Sequence, residues 1–232
     1  MAIAATLLLV TAIASVALYR DPPDLPRQTS GLGGAFRTVL GMRDLWLVAV
    51  ATLVFAGMQT VWMAFLVLYL RDVLGHSLIV ASRYLALAQV AGMAGRIVFG
   101  LLSDYVFAGR RRAPLALAGI SSALCSVIIA FTGPGTPALA LACLAAVFGF
   151  VGIGWNGVQH TLMAELAGAR AAGTAVGLGL AVSSLGVTLG PPIFGWCVER
   201  VGGYRGPWLG LAVAMVGALG LLALVRERAR LA

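Results

Sequence analysis

GRIVFGLLSDYVFAGRRR, residues 95–112, closes one long apolar run and opens onto another. Inside it an apolar helix carries Arg96 and Gly100, ends at Asp104, and turns through Gly109 into Arg110, Arg111 and Arg112. A carboxylate at the end of an apolar run, a glycine turn and a block of arginines reads as a tight connection between two membrane-spanning helices. The charges stay at headgroup level, and the runs on either side stay in hydrocarbon.

Composition extends that reading to the whole chain. Apolar residues make up 61% of the 232 and charged residues 10%, with mean hydropathy +1.00. A soluble domain carries about 25% charged residues, so this chain has too little polar surface to cover a water-soluble fold. All 16 basic residues are arginine, against 8 acidic residues, giving a net charge of +8. The arginines fall between apolar runs and not on one basic face, which favours a bilayer over nucleic acid. Cys125, Cys143 and Cys197 lie in or beside apolar runs without zinc spacing and read as packed thiols. No HExxH, GxSxG, phosphate loop or pair of carboxylates at membrane depth is present. Neither an enzyme nor a metal or cofactor site is expected.

A spanning helix needs about 20 mostly apolar residues. Seven runs qualify, at about 2–19, 45–70, 78–103, 113–132, 137–160, 171–195 and 207–225. In lipid the backbone must satisfy its own hydrogen bonds, so such runs are helices. On one side of them lie Arg20, Arg27, Arg37, Arg43, Arg110, Arg111, Arg112, Arg170, Arg226, Arg228 and Arg230. The other side holds Arg71, Arg200 and Arg205, while Arg83 and Arg96 lie within a run. The positive-inside rule makes the first side cytoplasmic, with the N-terminus outside and the C-terminus inside. The first run also admits a signal-peptide reading through Ala12, Ala14 and Ala17, but it has no basic residue ahead of it.

Residues 1–20 thus read as a lone transmembrane helix, 21–44 as a cytoplasmic linker and 45–232 as a six-helix bundle. Pro22, Pro23 and Pro26 stop the first helix, and Ala35–Gly41 suits a short interfacial helix. The fold class is all-α integral membrane, with about seven spans.

The string at 95–112 resembles the signature loop of the major facilitator superfamily of secondary transporters. The layout is similar to that family's second half: the first run as its sixth helix, the linker as its central loop, the later six spans as helices seven to twelve. A register with these six spans as the first half leaves the first run and the basic linker without a place. Gly177, Gly186, Gly190, Pro191 and Gly195 are close to the family's glycine-rich helix-packing pattern, with Phe194 replacing one glycine of its final pair. The stretch GWNGVQHTLMAE, 154–165, weakly resembles the cyanate, nitrate and organic-anion permease subgroup. The resemblance implies a permease moving a small solute, leaning to an anion, by alternating access around a midplane site. It also implies that the chain is half a transporter: a fragment, a mis-started frame, or a subunit needing an N-terminal half or a second copy of itself. An inactive truncation and a non-transporting scaffold are the alternatives.

The resemblance assigns Asp104, with Gly100, Gly109 and Arg110–Arg112, to a gating latch; a helix end with a solvated basic anchor is the plainer reading. Arg96 goes with the latch or snorkels to the headgroups, and Gln89, seven residues earlier, shares its side. Arg83 attracts an anion or snorkels outward. Trp155, Asn156, Gln159 and His160 form the densest polar cluster in any span. By analogy with the seventh and tenth helices they line the solute cavity with Gln59 and Trp62; the other reading is interhelical hydrogen bonding, worth about 0.6 kcal/mol per contact. A free histidine titrates near neutral pH, which makes His160 the proton-coupling candidate. Asp72, Asp104, Glu165 and Glu199 all lie at span ends. The expected setting is a bacterial-type inner membrane, the expected partners the bilayer, the solute and a coupling proton.

Overall fold

The computed structural model describes residues 2–18 and 32–227, in two units, 1–31 and 32–232. In the first unit, α1 runs over Ala2–Leu18. Its 17 residues span about 25 Å at 1.5 Å per residue, short of a hydrocarbon core of about 30 Å. The expected proline stop at Pro22, Pro23 and Pro26 lies outside the described residues, as do Arg20, Arg27, Arg228 and Arg230.

In the second unit, α2 covers Leu32–Leu40, three residues earlier in its start than expected, and packs on α3, Arg43–Asp72, and α8, Ala172–Val201. Between them come α4, Leu78–Leu101, a π-helical turn at Leu102–Val106, α5, Arg112–Ala130, α6, Ala138–Gly154, and α7, Asn156–Ala167. The last helix, α9, is Arg205–Ala223. Every regular element among the described residues is helical, and six stretches are long and apolar enough to cross a membrane: 43–72, 78–106, 112–130, 138–167, 172–201 and 205–223.

The helix ends follow local chemistry. Ser77 caps α4, its hydroxyl oxygen accepting the Val80 N–H at 3.4 Å. Pro137 precedes α6, where a missing N–H costs nothing. One span is broken: at Trp155 the chain leaves α6 and restarts as α7. The side chains beside the break cover the carbonyls it frees. Trp155 Nε1 donates to Gly152 O at 2.9 Å, and Asn156 Nδ2 to Ile153 O at 3.0 Å. No proline marks this break, and the apolar run reads through it.

Three close pairings build the bundle: α3 along α8, α4 along α6, and α5 along α9. Aromatic rings fill the centre. Trp62 stacks on Phe148 with centroids 3.9 Å apart, and Trp208 lies 5.1 Å from Trp62. Burial is uneven. About half of the α3, α5 and α6–α7 spans is buried, but only 22% of the α4 span and 17% of the α8 span. Those two helices present faces that this unit does not cover.

Candidate functional site

The stretch at 95–112 folds around a single side chain. After α4 the π-turn inserts an extra residue into the helical register, with Phe107 N–H bonded to Leu102 O at 2.9 Å. The chain then reverses through Ala108 and Gly109 at φ 50° and 76°, left-handed values that glycine adopts without the clash a Cβ brings. This carries Arg111 back over the helix end, where only 8% of the residue is exposed. Its Nη1 donates to Ser103 Oγ at 2.8 Å and to the Asp104 carboxylate. Its Nη2 pairs with Glu165 Oε1 at 3.2 Å, and its Nε lies 3.4 Å from both Glu165 oxygens. One guanidinium thus ties the ends of α4 and α7. Burial opposes its charge, but the hydrogen bonds and charges of Glu165 and Asp104 outweigh burial and raise its pKa above the usual arginine value. It stays charged at any working pH.

A second tie crosses the first. α5 has no side-chain cap of its own; Glu227, just past α9, accepts the backbone N–H groups of Arg111 and Arg112, the latter at 3.3 Å. In return Arg112 Nη2 donates to Ala223 O at 2.8 Å, at the end of α9. A carboxylate at a helix N-terminus and a guanidinium at a C-terminus each oppose the local dipole. Arg110 is exposed, and Arg96, Gln89 and Arg83 are all exposed along α4.

The proposed cavity cluster divides. Gln59 of α3 and Asn156 of α7 come together, with Nδ2 of Asn156 donating to Gln59 Oε1 at 3.3 Å, both half-buried. Trp62 and Trp155 instead belong to the core. Trp62 is 1% exposed with its Nε1 donating to Ser126 Oγ, and Trp155 is 2% exposed against Phe55. Burying both large rings inside the bundle outweighs lining an open path with them. Gln159 is also buried, its amide nitrogen near Gly179 and without a hydrogen-bond partner among the described residues. His160 is half-buried, and its Nδ1 likewise has no partner there.

The glycine-rich motif of α8 splits as well. An added Cβ at Gly186 would lie 2.0 Å from Leu53 O, and one at Gly190 3.0 Å from Gly57 Cα, so both bring α3 and α8 into contact. A Cβ added at Gly195 would lie 3.3 Å from Phe65 Cζ, and one at Gly177, like one at Gly100 on α4, would meet nothing within 4 Å. Pro191 sits inside α8, beside Pro192. Sequence reasoning passed over Ser103 and Glu227 and placed Glu165 only as a span end. The signal for the two carboxylates was their position: both lie on the arginine-rich side of a chain with only 8 acidic residues. Among the described residues no group of His, Cys, Asp and Glu is placed to hold a metal.

A family model described as Major Facilitator Superfamily matches residues 1–187. An uncharacterized MFS-type transporter of Mycobacterium tuberculosis is 28% identical over 187 residues, covering 80% of this chain and 41% of that protein. "Probable sulfoacetate transporter SauU" of Cupriavidus necator is 30% identical over 192 residues, covering 78% and 43%. The crystal structure of the E. coli fucose:proton symporter superimposes with a TM-score of 0.73 at 18% identity, over 97% of this chain and 53% of that one. The chain therefore spans about half the length of these proteins or less.

Proposed function

The chain belongs to the major facilitator superfamily, and on that premise we propose that it forms one wall of a secondary transporter for a small anionic solute, working by alternating access. The chain is an integral membrane protein of helical fold. The observation that carries the transport reading is the exposure of Arg83, Gln89 and Arg96 on α4, a membrane-depth helix only 22% buried. A charged side chain facing lipid is expensive, so such a face belongs against protein or a water-filled path. A second six-helix bundle, an N-terminal half or another copy, completes the path on the faces of α4 and α8. The arginine-rich end is cytoplasmic, in a bacterial-type inner membrane.

In this reading Gln59 of α3 and Asn156 of α7, paired beside the break between α6 and α7, contact the solute. Helix breaks at membrane depth bring polar side chains to where a ligand can use them. His160, one turn on, is the titratable side chain nearest that pair in sequence and the candidate for carrying a coupling proton. Arg111, Asp104 and Glu165 hold the cytoplasmic end in one conformation and release it in the other. The anionic solute is supported by the relative named for sulfoacetate and by the 154–165 stretch. Uptake of radiolabelled sulfoacetate and C2–C4 carboxylates by cells expressing the chain tests this. Saturable uptake should fall about tenfold or more in Asn156→Ala, with the protein still inserted and folded. Absence of saturable uptake for every sulfonate and carboxylate tried would overturn the anion reading.

A further inference from the structure

An apolar groove with a cavity of about 480 Å³ runs between α3, α8 and α9. Both α8 and α9 pack on α3 but only lightly on each other, so the groove opens outward. Its floor is the glycine contact of Gly57 with Gly186 and Gly190. On the α9 wall stands Gly210, where an added Cβ would meet nothing within 4 Å. The missing side chain leaves the groove empty there. Leu189 and Ile193 on the rim are more than half exposed, and no charged residue lines the groove. From Gly186 to Val201 it follows α8 for about 22 Å at 1.5 Å per residue. One leaflet's hydrocarbon is about 15 Å deep, so the groove is longer than the depth of the leaflet it opens into.

The end of the groove at Val201 is different in character. Arg200, the preceding residue, stacks on exposed Trp196 with its guanidinium carbon 5.5 Å from the ring centroid. Arg205, at the start of α9, lies 4.3 Å over Phe131. The acidic groups nearby are Asp72 and Glu199. Asp72 is taken up by Arg71 at 3.1 Å and by the Tyr204 hydroxyl at 3.5 Å. Glu199 is one residue from Arg200, about 100° further round the helix from the groove. An apolar trough whose last lining residue on α8, Val201, adjoins Arg200 in the chain matches a phospholipid: hydrocarbon along the trough, phosphate at the cation.

We propose that the groove between α8 and α9 binds one anionic phospholipid, with an acyl chain along Gly190 and Gly210 and the headgroup held by Arg200. This rests on the chain crossing a bilayer and is independent of the solute reading. Native mass spectrometry of the full chain, titrated in detergent with phosphatidylglycerol or phosphatidylethanolamine, tests it. The expected result is one phosphatidylglycerol retained per chain, preferred about fivefold over phosphatidylethanolamine. Arg200→Gln should erase the preference and keep the binding. Gly210→Leu should lose both lipids; its side chain enters empty space and is a better helix former than glycine, so helix content and melting should be retained. Wild-type retention by Gly210→Leu, or a preference that Arg200→Gln leaves intact, overturns the proposal. So does a wild-type chain that holds no lipid but dimerises through this face, with Gly210→Leu monomeric.

Discussion

Arg111 carries more of the arginine-rich end than its two neighbours do. Its guanidinium holds Asp104, Ser103 and Glu165, while Arg112 reaches a backbone carbonyl and Arg110 faces outward. Glu165 is 26% exposed and Asp104 55%, so the network is intermediate between a buried and a surface ion pair. Removing one partner costs about 3–5 kcal/mol when buried and about 1 kcal/mol or less when exposed. Arg111→Gln should therefore cost about 2 kcal/mol, seen as a melting shift of about 4–8 °C. Arg111→Lys, a point charge without the planar fork, should fall between, and Arg110→Gln should leave melting unchanged. Equal shifts for Arg110 and Arg111 would refute a hub at Arg111. The string at 95–112 was legible as a charged helix end. Which arginine turns inward was not, because the π-turn and the left-handed reversal at Ala108 and Gly109 set that direction, and neither shows in the apolar pattern.

At the scale of the element, α4 meets α6 as closely as α3 meets α8. A Cβ on Gly149 would fall 2.0 Å from Ala88 O, and one on Gly95 2.1 Å from Phe150 O. Backbone cannot yield as a flexible side chain can, so Gly149→Ala must push the two helices apart. The expected cost is about 1–3 kcal/mol or more. Gly157→Ala, two residues past the break, meets nothing within 4 Å and should be neutral or stabilising by up to about 1 kcal/mol. Thermal unfolding in detergent separates the two; matching losses would mean the α4–α6 contact is looser than described. The glycine pattern of α8 pointed at Gly186 and Gly190. Gly92, Gly95 and Gly149 belong to no such pattern, so the contact of α4 with α6 was not legible in the sequence. The break at Trp155 was hidden for a related reason: its freed carbonyls are satisfied by Trp155 and Asn156 themselves, and no breaker residue is needed.

For the whole molecule, three glycines that look alike in isolation make different predictions. Gly100 on α4, Gly177 on α8 and Gly217 on α9 each have open space where a side chain would go. Nothing within this unit requires glycine at any of them, so each leucine variant should fold with unchanged or slightly higher stability. A second bundle covering α4 and α8 changes that for two of the three. Close approach of helices in a membrane depends on small residues at the contact, and a leucine at Gly100 or Gly177 would hold the bundles apart. Solute uptake should then be lost in Gly100→Leu and Gly177→Leu at normal membrane levels and normal melting. Gly217→Leu, on a helix that the proposed interface leaves to lipid, should transport as wild type does. Uptake surviving in Gly100→Leu would mean that the uncovered face of α4 meets lipid, leaving Arg83 and Arg96 to snorkel and removing the physical argument for a second bundle there.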